Sequence, residues 1–191
     1  GLRTACELLG KNKKSLQTEK EMSEVFAELY SSDSKIIPRT YSSGTMSQRA
    51  KWKKEDFCPD TSLLALVYPA TMVDAFDEKM RMTVKKIIEK NTIDKGGLLR
   101  YPKDRYCGGV KNGYVTLSGA GAWPLLNFWM TVYYSMRGDK KNAEIYFNWP
   151  LERTEQYIPE QIFSNKKKLS ICPLAWSHAM FIIAADFLGY L

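Results

Sequence analysis

The sequence predicts an all-α fold built from helical hairpins, and three observations carry that expectation. Apolar residues recur at three- and four-residue spacing in one segment after another, the signature of helices with one buried face. Helix start and stop residues punctuate those segments: Asp60 and Asp139 as N-caps, Gly10 and Gly138 as terminators, Pro69 as a breaker. No two neighbouring stretches alternate polar and apolar residues as a pair of strands would. With 191 residues, 45 % of them hydrophobic and 13 % aromatic, the chain has enough apolar side chains for a sizeable core and is expected to form a single region, 1–191.

In order, Leu2, Ala5, Leu8 and Leu9 mark a first helix ending at Gly10, and Met22, Val25, Phe26 and Leu29 form the stripe of a second over 18–30. Residues 35–50 are rich in Ser, Thr and Gly and read as irregular. Asp60 caps an apolar run stopped by Pro69, and Phe76, Met80, Val84, Ile87 and Ile88 place a further helix over 71–91. From near Gly96 to near Trp123 runs a long loop with aromatic residues and the charges Arg100, Lys103, Asp104 and Arg105, a composition and length typical of functional loops. Its Gly119 and Gly121 lack both the third glycine and the preceding strand of a dinucleotide fingerprint, and read as marks of flexibility. The run 123–138 is apolar on nearly every face, as in a helix buried between neighbours. The next helix, capped by Asp139, reaches Pro150, which either kinks it or starts a new segment. The last helix starts at Pro173. It is almost long enough to span a bilayer, but Trp176, His178 and Asp186 within it are costly in lipid, so it is expected to be a core helix and no membrane partner is expected.

The net charge is +7, with basic runs at 11–14, 51–54 and 165–168. Only Trp52 is interleaved with them and no recognised motif accompanies them, so they read as solvated loops and no nucleic-acid partner is expected. The four cysteines have no CxxC spacing and His178 is the sole histidine, which argues against a zinc site; no metal and no cofactor are expected. Scattered thiols without Asn-x-Ser/Thr acceptors suit a cytoplasmic protein. The chain opens inside a helix without a methionine, so it is expected to be part of a longer protein.

In a hairpin array the long loops gather at one end. Here they carry RYPKDRY, GAGAW, YIPEQ and LAWSH, a set suited to a polar, aromatic pocket in which sugar rings stack and hydroxyls are bonded. Glu160, in the short aromatic loop 157–163, is the carboxylate such a loop would position as an acid or base.

Over nearly the whole chain these pieces stand in the order found in glycoside hydrolase family fifteen, the glucoamylase-like enzymes. The sequence resembles that family in LLRYPKDRYCGG, AWPLL, the Arg137–Gly138–Asp139 turn, IPEQIF and PLAWSHA. The resemblance implies an (α/α)6 toroid of helical hairpins that cuts glucose from the non-reducing ends of α-glucans with inversion, of which this chain matches the C-terminal half of the catalytic domain. By the same resemblance Glu160 is the general base, Arg100 and Asp104 lie near the sugar, and Tyr106, Trp123 and Trp176 line the pocket. The implied partners are an α-glucan or related glucoside and the N-terminal half of the domain. The chain departs from the family in an insertion at 110–121 and in lacking the tryptophan-plus-glutamate motif of the general acid.

An inverting glycosidase needs one carboxylic acid to protonate the leaving oxygen and a second carboxylate to activate water on the opposite face. With one of the two, this chain alone is expected to be close to inactive. A non-catalytic carbohydrate-binding or regulatory protein of the same fold is the alternative, and a basic nucleic-acid-binding helical protein the third reading.

Overall fold

The computed structural model describes residues 13–30, 34–39, 57–106, 110–111, 114–115, 119–164 and 170–191. The first helix expected over 2–9, the lysine runs at 51–54 and 165–168, and Trp52 lie outside these residues. The chain divides into two compact units, Gly1–Phe57 and Cys58–Leu191. The first contains α1, Lys13–Tyr30, five residues longer at its start than the apolar stripe announced. Leu16, Met22 and Val25 are exposed on it.

The second unit begins with a 3-10 helix, Thr61–Leu66, whose N-cap Asp60 accepts from the Ser62 amide at 2.9 Å. The following helix, α2, is Glu78–Asn91, not 71–91. Two aspartates set this late start. Asp74 accepts from the Phe76 amide and folds 74–76 into a turn, and Asp77 then accepts from the Met80 amide as the N-cap. Phe76 is left outside the helix and 65 % exposed, beneath the Arg137 guanidinium.

The described residues also hold two antiparallel ladders of two residues per strand, which sequence patterning missed. In the first, β1 (Thr92–Ile93) pairs with β2 (Gly97–Leu98) through a turn at Asp94 and Lys95, with φ of 47° and 60°. Successive positive φ values give the tight turn that matches strand twist, and Asp tolerates them. In the second, β3 (Val110–Lys111) pairs with β4 (Tyr114–Val115) inside the insertion. At two residues per strand neither is long enough to show an alternating pattern.

Helix α3, Pro124–Met136, has Pro at its first turn and is the buried centre of the unit. Leu125, Phe128 and Val132 on it pack with Phe147 of α4 (Lys140–Leu151), with Met180, Ala184 and Ala185 of α5 (Ala175–Phe187), and with Ile158. Burying each large apolar side chain contributes roughly 1.5–3 kcal/mol. The rings of Phe128, Phe147 and Phe181 lie within 6 Å of one another, centre to centre.

Pro150 does not start a new segment; it lies inside α4, which runs to Leu151. Proline lacks the N–H that would bond the carbonyl four residues back, which is that of Tyr146. The Asn127 amide of α3 donates to that carbonyl instead, at 3.3 Å. Asn127 is fully buried; it also donates to the Gly96 carbonyl and accepts from the Leu98 amide. One side chain thus ties α3 to α4 and to the β1–β2 hairpin.

The helices alternate in direction. The end of α2, the start of α3, the end of α4 and the start of α5 lie together, joined by bonds such as Trp123 N to Leu98 O, Trp149 Nε1 to Asp94 O and Leu174 N to Ile158 O. At the opposite end Arg137, which caps α3, donates to the Ala75 carbonyl just ahead of α2. This is the up-and-down arrangement of stacked hairpins, and it brings RYPKD, GAGAW, IPEQ and LAWSH to one end.

Candidate active site

Three loops meet at that end, and backbone hydrogen bonds couple them in series. Ala120 N donates to the Asp104 carbonyl at 3.0 Å, joining the RYPKD loop to the GAGAW segment. Ala122 and Ile162 exchange both of their backbone bonds, at 2.9 and 2.8 Å, joining GAGAW to the loop of Glu160. The Gln161 side-chain carbonyl adds a bond from the Gly121 amide at 2.8 Å. A Cβ on Gly121 would lie 2.6 Å from the Ile162 carbonyl oxygen; this glycine permits close approach of two backbones, where sequence reasoning read flexibility.

On this frame Arg100 and Asp104 form a bidentate pair, Nε to Oδ2 at 2.6 Å and Nη2 to Oδ1 at 2.9 Å. Asp104 is buried, and Oδ1 also accepts from the Tyr106 amide. The Arg100 guanidinium carbon stands 4.8 Å from the Trp123 ring centre and 5.0 Å from that of Tyr106, and these two rings stack on each other. The hydrogen bond to Asp104 is the main cause that raises the Arg100 pKa above its ordinary value, so the guanidinium keeps its charge.

Glu160 is partly buried, and its amide donates to the Ile171 carbonyl at 2.9 Å. Its Oε2 is enclosed and makes no hydrogen bond within the protein; the same holds for Trp123 Nε1 and Gln161 Nε2. An acceptor and two donors without partners thus stand on adjoining loops, and a buried polar atom without a partner costs about 1–3 kcal/mol.

Trp176 stands on the first turn of α5 with 59 % of its surface exposed. Its neighbour Ser177 donates to the carbonyl of Pro159, the residue before Glu160, at 3.1 Å. The structure therefore brings Arg100, Asp104, Tyr106 and Trp123 into one cluster, couples Glu160 to it through the Ala122–Ile162 bridge, and sets Trp176 beside the Glu160 loop. Two concavities of about 330 and 380 Å³ lie away from these loops. One is lined by Arg81, Lys85, Tyr133 and Tyr134, the other by Val67, Met72 and Phe76. The described part of the site is thus a wall of coupled loops. Among the described residues no group of His, Cys, Asp and Glu could hold a metal ion, and no helix is long and apolar enough to cross a membrane.

Sequence reasoning missed the roles of Gln161, Ser177 and His178, which hold the Glu160 loop from two sides. Each stands beside another polar residue in a short motif, and no spacing rule marks it as a clamp.

No family model matches the chain. It is 33 % identical over 139 residues to an uncharacterized glycosyl hydrolase of Methanocaldococcus jannaschii, covering 65 % of this chain and 21 % of that protein. It is 26 % identical over 146 residues to the isomaltose glucohydrolase of Kribbella flavida, covering 69 % of this chain and 35 % of that enzyme. Among solved structures, a wild-type glycosidase superposes with a TM-score of 0.69 at 22 % identity, over 93 % of this chain and 45 % of its own. A variant glycosidase in complex with glucose superposes with a TM-score of 0.68 over the same shares. A bacterial glucoamylase complexed with acarbose gives 0.55 at 26 % identity, over 67 % of this chain and 20 % of its own. The fold is therefore all-α and part of an α/α toroid, and the chain is similar in sequence and fold to glycoside hydrolases. It spans a fifth to about a third of the length of these curated relatives and under half that of the solved structures.

Proposed function

We propose that the chain supplies the general-base half of an inverting α-glucosidase site of the glucoamylase-like family, with glucose the sugar held at its wall. The observation that carries this is the enclosed, unpaired Oε2 of Glu160 on a loop bridged to the Arg100–Trp123 cluster. The kinship with glycosyl hydrolases and the glucose bound to a similar fold support it.

In this reading Glu160 takes a proton from the attacking water as that water adds to the anomeric carbon and the glycosidic bond breaks. A general acid from the other half of the domain protonates the leaving oxygen, the two carboxyl groups standing roughly 6.5–9.5 Å apart. Trp176 offers a ring face to the sugar, and the Arg100–Asp104 pair fixes the orientation of Tyr106 and of the buried Trp123.

Maltose hydrolysis by this chain joined to the remaining helices of the toroid, taken from the Methanocaldococcus relative, tests the proposal. Proton NMR reads the first-formed anomer, expected to be β-glucose. Glu160→Gln keeps the shape and removes the base, so turnover should fall by about two to four powers of ten with little change in KM. Turnover within a few-fold of the parent, or α-glucose as first product, overturns the assignment.

A second reading, a non-catalytic sugar-binding protein of the same fold, is favoured by one observation: Asp104, the other carboxylate of the cluster, is engaged on both oxygens by Arg100. Glucose binding without hydrolysis in the joined protein would select it.

A further inference from the structure

We infer that His178 is a positioning residue for the Glu160 loop, and that it holds the loop only while its imidazole is neutral. The inference rests on the reading of Glu160 as the working carboxylate.

Three hydrogen bonds run between the start of α5 and the two residues that precede Glu160. Leu174 N donates to the Ile158 carbonyl at 3.0 Å, Ser177 Oγ donates to the Pro159 carbonyl at 3.1 Å, and the Ile158 amide donates to His178 Nε2 at 3.0 Å. The first two have no titrating partner. In the third the ring nitrogen is the acceptor, which requires Nε2 to be without a proton and places the ring proton on Nδ1. Protonation makes Nε2 a donor, opposite an amide that can only donate, and the bond is lost.

Ile158 is 6 % exposed and belongs to the apolar core, so water does not readily replace the lost partner. Beyond Ile158 the chain is anchored where Glu160 N bonds Ile171 O and Ile162 bonds Ala122. Loosening at Ile158 falls on the short stretch between it and Glu160, two residues on.

The titratable groups facing His178 come from the two stretches packed on it. They are the Tyr157 phenol, with ring centres 6.2 Å apart, and the Cys172 thiol, which reaches the Tyr157 carbonyl. Glu152 and Arg153 at the end of α4 pair with each other and Glu155 is exposed. On α5 itself Asp186 is two turns away, and the titratable groups of α3, Tyr133 and Tyr134, are at its far end. Among the described residues none of these bonds the imidazole, so its own protonation is what breaks the contact.

The test is a pH titration of the isotope-labelled chain from pH 8 to 5 by NMR, the range in which imidazoles ordinarily change charge. The Ile158 amide should move upfield and exchange faster with the midpoint of the His178 ring signals, and the Glu160 amide should follow with the same midpoint. In His178→Gln the side-chain carbonyl can accept from Ile158 without titrating, and both amides should stay level. Glucose affinity of the parent chain should fall about fivefold across the transition, the worth of one hydrogen bond, and stay level in His178→Gln. An Ile158 amide indifferent to the His178 titration overturns the inference, as does an Ile158 response that Glu160 does not share. The parent titration needs no variant to fold. If glucose binds at no pH, the sugar-site reading fails while the amide signals still decide the role of His178.

Discussion

Gly121 and Ile162 approach so closely that a Cβ on the glycine would stand 2.6 Å from the isoleucine's carbonyl oxygen, and this contact holds the Glu160 loop against the Trp123 segment. Backbone cannot yield as a flexible side chain would. Gly121→Ala is expected to push the two segments apart, breaking the Ala122–Ile162 bridge and the Gly121–Gln161 bond. Loss of two or three net hydrogen bonds at about 0.5–1.5 kcal/mol each should lower Tm by several degrees and abolish glucose-induced shifts at Trp123. Unchanged Tm and unchanged shifts would show that the approach is not needed.

Asn127→Leu fills the same space but strands three buried backbone groups: the Leu98 amide and the carbonyls of Gly96 and Tyr146. At about 1–3 kcal/mol for each unpaired group, the loss should be at least about 3 kcal/mol. Urea unfolding reads it as a lower midpoint at unchanged slope. A loss under 1 kcal/mol would mean that Asn127 is not the partner compensating for Pro150.

Asp139 caps α4, and the side-chain and backbone donors of Asn142 hold its pKa below the ordinary carboxylate value. A depressed folded pKa means that the cap's charge stabilises above about pH 4 and loses that effect as pH falls through the lowered value. Asp139→Ala should cost about 1 kcal/mol at pH 7. Asp139→Asn keeps a capping oxygen without a titrating group, so its Tm should decline less than the parent's between pH 4 and 2. Equal declines would remove Asp139 from the acid response.

Helix α5 buries Met180, Ala184 and Ala185 but leaves Trp176, Ile182 and Phe187 exposed, with Tyr190 and Leu191 beyond its end. Several large apolar side chains exposed on one helix leave apolar surface open to a partner. The chain is expected to self-associate or to bind an apolar dye, and Ile182→Lys should reduce either effect. Light scattering that finds a monodisperse monomer without dye binding would mean that this face needs no cover.

The apolar runs of α3 and α5 and the caps at Asp60 and Asp139 were legible in the sequence, because each is set by residues within one or two turns of one another. So was the order of the loop motifs, from which the alternation of hairpins follows and with it the gathering of the loops at one end. The start of α2 was misplaced because two aspartates, Asp74 and Asp77, could each end the turn, and apolar spacing does not choose between them. The β1–β2 ladder was invisible because two residues per strand carry no period. Other features were decided only by the tertiary structure: that Gly121 meets Ile162, that Asn127 takes the carbonyl Pro150 leaves free, that Asp104 is consumed by Arg100, and that His178 accepts from Ile158. In each the partners stand four to 41 residues apart in the chain, and a hydrogen bond between them depends on ångström-scale approach, which helix packing sets and local sequence does not encode.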